Sequence, residues 1–345
     1  MIDLRSDTLT LPNQEMLETI LRAQLGDDGR VDSEGRGEDL TVNELEDLSA
    51  ELTGLEMGLL LSSGTLANTT AILTYCKPGD KVLVDEIQHI YKSEKVVFDP
   101  VFGQLKPVFY KLNEKGNPDF EDLNRLLEEE DVSLLCIENT HNFSGGAITD
   151  LDNLKNIYEL AKKHDVPVHM DGARLFNAAT GLNVDASEIC QYVDSVMFCL
   201  SKGLGAPLGS VLCGSKDFIL KAKNTRKLLG GNMRQAGIMA APGIYALKHN
   251  IDKLKQDHEN AKYLADELKD LKKVSVQKDV DSNIVMIDMQ DSNTTPEQFC
   301  QMAKDRGLLI RPVLSNQVRL VFYNAITRED TIKTVDIIKD IYKLL

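Results

Sequence analysis

The sequence predicts an α/β domain built on a largely parallel sheet, followed by a smaller α+β domain. Three observations carry this. Between about residues 55 and 214, short apolar runs alternate with longer amphipathic ones, the pattern of β-α units feeding one parallel sheet. After Gly231 the alternation gives way to a long helical stretch, then two strand-like segments and a final helix. The 345 residues, 42% hydrophobic and 27% charged, suffice for one large and one small core. The expected division is residues 1–245, including an N-terminal arm, and residues 246–345.

Taken in order, the first irregular segment is "GDDGRVDSEGRGEDLT" (26–41), too polar and glycine-rich for a regular element and read as a loop. Strands follow at "GLLLSS", "KVLVDE", "VSLLCIEN", "VPVHMD", "SVMFCL" and "GSVLCG". Between them, "DLDNLKNIYELAKKH" spaces Leu151, Leu154, Ile157, Leu160 and Ala161 along one helical face, which predicts a helix covering the sheet. Beyond residue 236 a long helical stretch is expected to about residue 273, then "SNIVMIDM" and "GLLIRPVLSNQVRLVFYN" as the strands of the small domain.

A formal charge of −15 argues against a general affinity for nucleic acid or anionic membrane, both of them polyanions. The mean hydropathy of −0.22 belongs to a soluble globular chain. Six cysteines without a CxxC pair point to a reduced compartment, and the start "MIDLRSDTLT" has neither the basic nor the apolar block of a signal peptide. A cytoplasmic location is therefore expected.

Three features could carry chemistry. In "LLLSSGTLANTT", an apolar strand runs through Ser63, Gly64 and Thr65 into a helix. Unsatisfied first-turn amides and the positive end of the helix dipole there suit a phosphate, although an ordinary N-cap has the same form. Asp171 ends the strand "VPVHMD", at the sheet edge where open α/β folds collect ligands, with Arg174 as a candidate structural partner. Lys202 stands alone in "MFCLSKGLGAPLGSVLCG", where small residues would keep it desolvated, lower its pKa and make it a nucleophile toward carbonyls. Together they match pyridoxal phosphate, which needs an anchor for its phosphate, an anion for its ring nitrogen and an amine for its aldehyde. No metal site is expected.

The chain also resembles the low-specificity L-threonine aldolases, of the aspartate-aminotransferase fold (fold type I), within the β-eliminating lyase superfamily. The resemblance rests on "IDLRSDTLT", "TVNELE", "SGTLAN", "ENTHN", "HMDGARLFNA", "CLSKGLGAPLGS", "GGNMRQAG" and "QVRLVF", in order along nearly the whole chain. It implies a mostly parallel seven-stranded sheet flanked by helices, and a homodimer or homotetramer with sites at subunit interfaces. It implies that His89 stacks on the cofactor ring and that Ser6, Arg174 and Arg319 grip the substrate carboxylate. His141 would face the substrate hydroxyl, and Arg234 would lie on the phosphate side. His164, His169, His249 and His258 are read as structural or solvated.

The implied reaction is retro-aldol cleavage of β-hydroxy-α-amino acids to glycine and an aldehyde. His141, His89 or a water they hold would take the hydroxyl proton. The alternatives are β-elimination on another polar amino acid and a non-catalytic sensor on the same fold. In one place the chain departs from the aldolases: the 26–41 loop is longer, lacks a tyrosine they carry near the substrate, and brings Arg30 and Arg36. Those arginines would favour an anionic or strongly polar side chain if they reach the site.

Overall fold

The computed structural model of the chain describes residues 1–290 and 292–344. A seven-stranded sheet carries the large domain: β1 (Met57–Leu61), β2 (Lys81–Val84), β3 (Lys106–Phe109), β4 (Leu134–Glu138), β5 (Val168–Asp171), β6 (Ser195–Cys199) and β7 (Ser210–Gly214). Their order is β1-β7-β6-β5-β4-β2-β3, all parallel except β7, which runs against both neighbours. Every residue of β1, β4, β5, β6 and β7 is buried, so these strands read as largely apolar runs, with Glu138, His169 and Asp171 as the charged or ionisable exceptions near the strand ends. The strand β3, with Pro107 in it, has no such signal; it lies at the sheet edge, where a proline costs no ladder bond.

The helix expected after Thr149 runs from Leu151 to Lys163, capped by Asp150, with Leu154, Ile157, Leu160 and Ala161 buried against the sheet. The helical stretch expected from 236 to 273 is made of two helices, Gly237–His249 and Leu254–Leu268. Between them the Asn250 amide, itself buried, donates to the Leu204 carbonyl at 2.7 Å and so braces the segment after Lys202. Sequence periodicity continues across the break because both helices are amphipathic, and no glycine or proline marks it.

The small domain is an antiparallel sheet of β8 (Ser275–Val276), β9 (Ile284–Asp288), β10 (Arg311–Val313) and β11 (Gln317–Val321), ordered β10-β11-β9-β8. Its core takes Leu264, Phe299 and Ile338 from three covering helices, and also Leu4 from the chain's start. Ile2–Asp3 pairs in parallel with Leu308–Leu309, so the first residues, grouped by sequence with the large domain, pack on the small one. The chain then crosses into the large domain at Asp7.

Candidate active site

Strands β1, β2, β4, β5 and β6 deliver their C-terminal ends to one edge of the sheet, and the small domain's β10 and β11 face that edge across a cavity of 190 Å³. Six residues singled out from the sequence line it: Ser6, His89, Asp171, Arg174, Lys202 and Arg319.

The helix Gly64–Tyr75 follows β1. Ser63 caps it, its hydroxyl accepting from the Leu66 amide at 3.2 Å, while the amides of Gly64 and Thr65 have no acceptor among the described residues. Two donors at the positive end of a helix dipole are the requirement for an anchored phosphate. One turn on, Asn68 donates from Nδ2 to Asp171 Oδ2 at 2.9 Å, and the Ala173 amide donates to Oδ1 at 3.0 Å. Asp171 is thus fixed in place by two donors, and its partner is Asn68 rather than Arg174.

Behind Asn68 lies His169, which the sequence reading left as structural. Its Nε2 is 3.1 Å from Asn68 Oδ1 and its Nδ1 2.9 Å from the Ser195 hydroxyl. Burial pulls this imidazole down to about 4, against the opposing charge of Asp171, so the ring is neutral. Because Asn68 turns its amide hydrogens to Asp171 and Glu94, its Oδ1 faces His169 and can only accept, so the proton of His169 sits on Nε2 and the asparagine is locked in one orientation.

Lys202 sits in the tight connection from β6 to antiparallel β7. Reversal in so few residues needs left-handed backbone at Gly205 (φ +82°) and Gly209 (φ +104°), which accounts for the glycines after the lysine. The Gly205 amide closes a turn on the Lys202 carbonyl at 2.9 Å. The lysine is half-buried rather than sealed in the apolar run, lines the cavity, and forms no ion pair among the described residues.

Arg174 proves to be committed. Its Nε and Nη2 make a bidentate pair with Asp7 at 2.6 and 2.8 Å, both residues buried. Burial opposes the charge on Asp7, but the Arg174 guanidinium outweighs it and holds the carboxyl below its ordinary value. Both Arg174 and Arg319 donate to Asn142 Oδ1, at 3.2 and 2.7 Å. Arg319 retains a buried Nε with no partner, an orphan donor suited to an incoming carboxylate. Burial first, then repulsion from Arg174, lowers its pKa to about 10, which leaves it charged at neutral pH.

His89 follows β2, its ring near-parallel to Phe143 at 6.5 Å and its Nδ1 3.1 Å from Glu94. Burial opposes its protonation, yet the hydrogen bond to Glu94 and the charge of Asp171 raise its pKa overall. His141, expected to face the substrate, is turned away: it is buried, with Nε2 on Asp85 at 3.1 Å and Nδ1 accepting from the Ser144 amide. It does not line the cavity. Glu138 does, and the sequence reading missed it. The amides of His89 and Asn142 donate to its two oxygens at 2.7 and 2.8 Å, and burial raises its carboxyl above the usual range. Glu138 pairs in register with Asp171 across β4 and β5, so the strand-end signal that marked one applied to the other.

Ser63, Gly64 and Thr65 lie at the sheet edge but not on the cavity wall. Arg234 points outward and pairs with Asp27 at 2.9 Å. Arg30 is exposed beside Asp27, and Arg36 pairs with Asp47. Neither loop arginine lines the cavity. The loop instead packs on its own domain, with Asp28 buried against Arg226 at 2.9 Å and the Lys223 ammonium on the Gly35 carbonyl.

Free helix amides, an anchored carboxylate, an unpaired lysine and an orphan guanidinium nitrogen fit pyridoxal phosphate with an amino-acid substrate. Residues 3–292 match the family model of the beta-eliminating lyases. The chain belongs to that family. Low-specificity L-threonine aldolase 1 of Arabidopsis thaliana is 38% identical, covering 95% of this chain and 93% of its own. The low specificity L-threonine aldolase of Escherichia coli K12 is also 38% identical, over 95% of this chain and 96% of its own. In fold, the chain resembles a Leishmania major threonine aldolase with a TM-score of 0.80 at 18% identity, covering 99% of this chain and all of the other.

Proposed function

We propose that this protein is a pyridoxal-phosphate-dependent aldehyde lyase that cleaves β-hydroxy-α-amino acids of the threonine type to glycine and an aldehyde. One observation carries the reading: Lys202, Asp171 and the unpartnered Nε of Arg319 meet at one cavity in a chain 38% identical to threonine aldolases. The cofactor, when bound, supplies an aldehyde for an amine and a ring that withdraws electrons from the substrate's Cα.

The chain's residues supply the rest. The Gly64 and Thr65 amides would hold the phosphate. Lys202 would take the aldehyde, and Asp171, fixed by Asn68, would keep the ring nitrogen protonated. Arg319, with Asn142 and Ser6 beside it, binds the α-carboxylate, and Arg174 keeps Asp7 and Asn142 in place around it. Two groups in the cavity can accept the β-hydroxyl proton: His89, oriented by Glu94, and Glu138, whose raised pKa suits a general base. The reading extends to a homodimer or homotetramer and to the cytoplasm; six free cysteines suit a reducing compartment, and no helix among the described residues is long and apolar enough to cross a membrane.

The test is product analysis on a panel of β-hydroxy amino acids with the cofactor-loaded protein. Glycine and an aldehyde in equal amounts support the assignment. Ammonia and a keto acid would replace it with β-elimination, the reaction the family is named for.

A further inference from the structure

Arg311, which nothing in the motifs marked, also lines the cavity. It lies on β10 directly opposite Arg319 on β11. Residues so paired on antiparallel strands share a face, with Cβ atoms about 5 Å apart. Their charges repel: after burial and Arg174, Arg311 is among the causes that lower the pKa of Arg319. Arg174 is neutralised by Asp7, whereas no carboxylate pairs with either Arg311 or Arg319 among the described residues. Arg319 is buried while Arg311 is exposed, so Arg311 stands at the solvent side of the cavity, where an anion would meet a second cation beyond the one that takes the α-carboxylate.

The substrate's α-carboxylate satisfies one. We propose that Arg311 is a specificity-determining residue that binds a second anionic group on the substrate side chain, so that the preferred substrates are β-hydroxy-α-amino acids with a side-chain carboxylate. This rests on the amino-acid reading of the cavity and moves the selectivity considered for the 26–41 loop to the small domain. Charge-assisted, bidentate pairing of guanidinium and carboxylate supplies the discrimination against a methyl group. For 3-hydroxyaspartate the bond broken is Cα–Cβ. The hydroxyl proton goes to the base, the electron pair returns to Cα with a proton, and the products are glycine and glyoxylate.

The experiment compares kcat/KM for L-threonine and L-threo-3-hydroxyaspartate in the loaded wild type, Arg311→Ala and Arg311→Lys. A second arm measures thermal-shift affinities for succinate and butyrate, four-carbon acids with two carboxylates and one, which do not react. Wild type should favour the dicarboxylates. Arg311→Ala should lower both preference ratios by about tenfold, with Arg311→Lys falling between, in keeping with loss of a charge-assisted pair. Ratios unchanged in both variants, or a wild type that prefers the monoanions, would overturn the proposal. If no substrate yields glycine, the aldol reading fails, and the succinate-to-butyrate ratio still decides the role of Arg311.

Discussion

Lys202 is the residue on which the cofactor reading stands or falls. No other lysine lines the cavity, so Lys202→Ala should abolish turnover and the visible absorbance of the cofactor-loaded protein together. A variant that keeps both would remove the assignment. A different residue governs response to pH. Asp257 is buried with Oδ2 unpartnered, and burial, aided by the charge of Asp7, raises its carboxyl to about 8. In an unfolded chain aspartate titrates near 4. Between those values the folded protein holds a proton that the unfolded chain has lost, so this group makes stability fall as pH rises through the window. Asp257→Asn should accordingly raise the melting temperature most at pH 8, with the gain fading toward pH 4. A gain of the same size at both ends would show that ionisation is not its cause.

Among the elements, the helix Leu40–Thr53 shows how one cap can join three parts of the fold. Asp39, fully buried, accepts from the Val42 amide at 3.1 Å as an N-cap, and its other oxygen accepts from Gly237 at 2.9 Å and Gly26 at 3.2 Å. Removing the carboxylate costs a cap and leaves buried amides unpaired. Asp39→Ala is therefore expected to destabilise by about 2–4 kcal/mol, read from the urea midpoint at unchanged slope. A loss below about 0.5 kcal/mol would mean that water replaces these bonds. The same Asp39 places the end of the 26–41 loop, which is why that loop stays on its own domain.

For the whole molecule, the open question is what covers the side bearing the helix Gly237–His249. A groove runs between this helix and residues 19–24, and Leu17, Leu21, Leu25, Leu40 and Ile238 are exposed around it. Exposed apolar surface of this kind marks an interface, and a second copy there is the occupant proposed with the homo-oligomer. Sedimentation of the native protein should give a dimer or larger, and Leu21→Asp combined with Ile238→Asp should shift it toward monomer. A native monomer that is fully active would contradict this.

Sequence alone determined six of the seven strands of the large sheet, the helix facing it, the helix cap at Ser63, and the places of Asp171 at a strand end and Lys202 just after one. Each depends on local pattern: burial on both faces makes a run apolar, and a strand end next to glycine or a capping residue is visible within a few positions. The edge strand Lys106–Phe109 escaped because an edge imposes no such pattern. Tertiary structure decided everything that depends on which side chains meet. It gave Arg174 to Asp7, across 167 positions, and Asp171 to Asn68, across 103, and it turned His141 toward Asp85. It also brought Glu138 and Arg311 to the cavity. A charged residue chooses its partner by distance in space, and distance in space between remote segments is fixed only when the sheet, the small domain and the N-terminal segment close around one another.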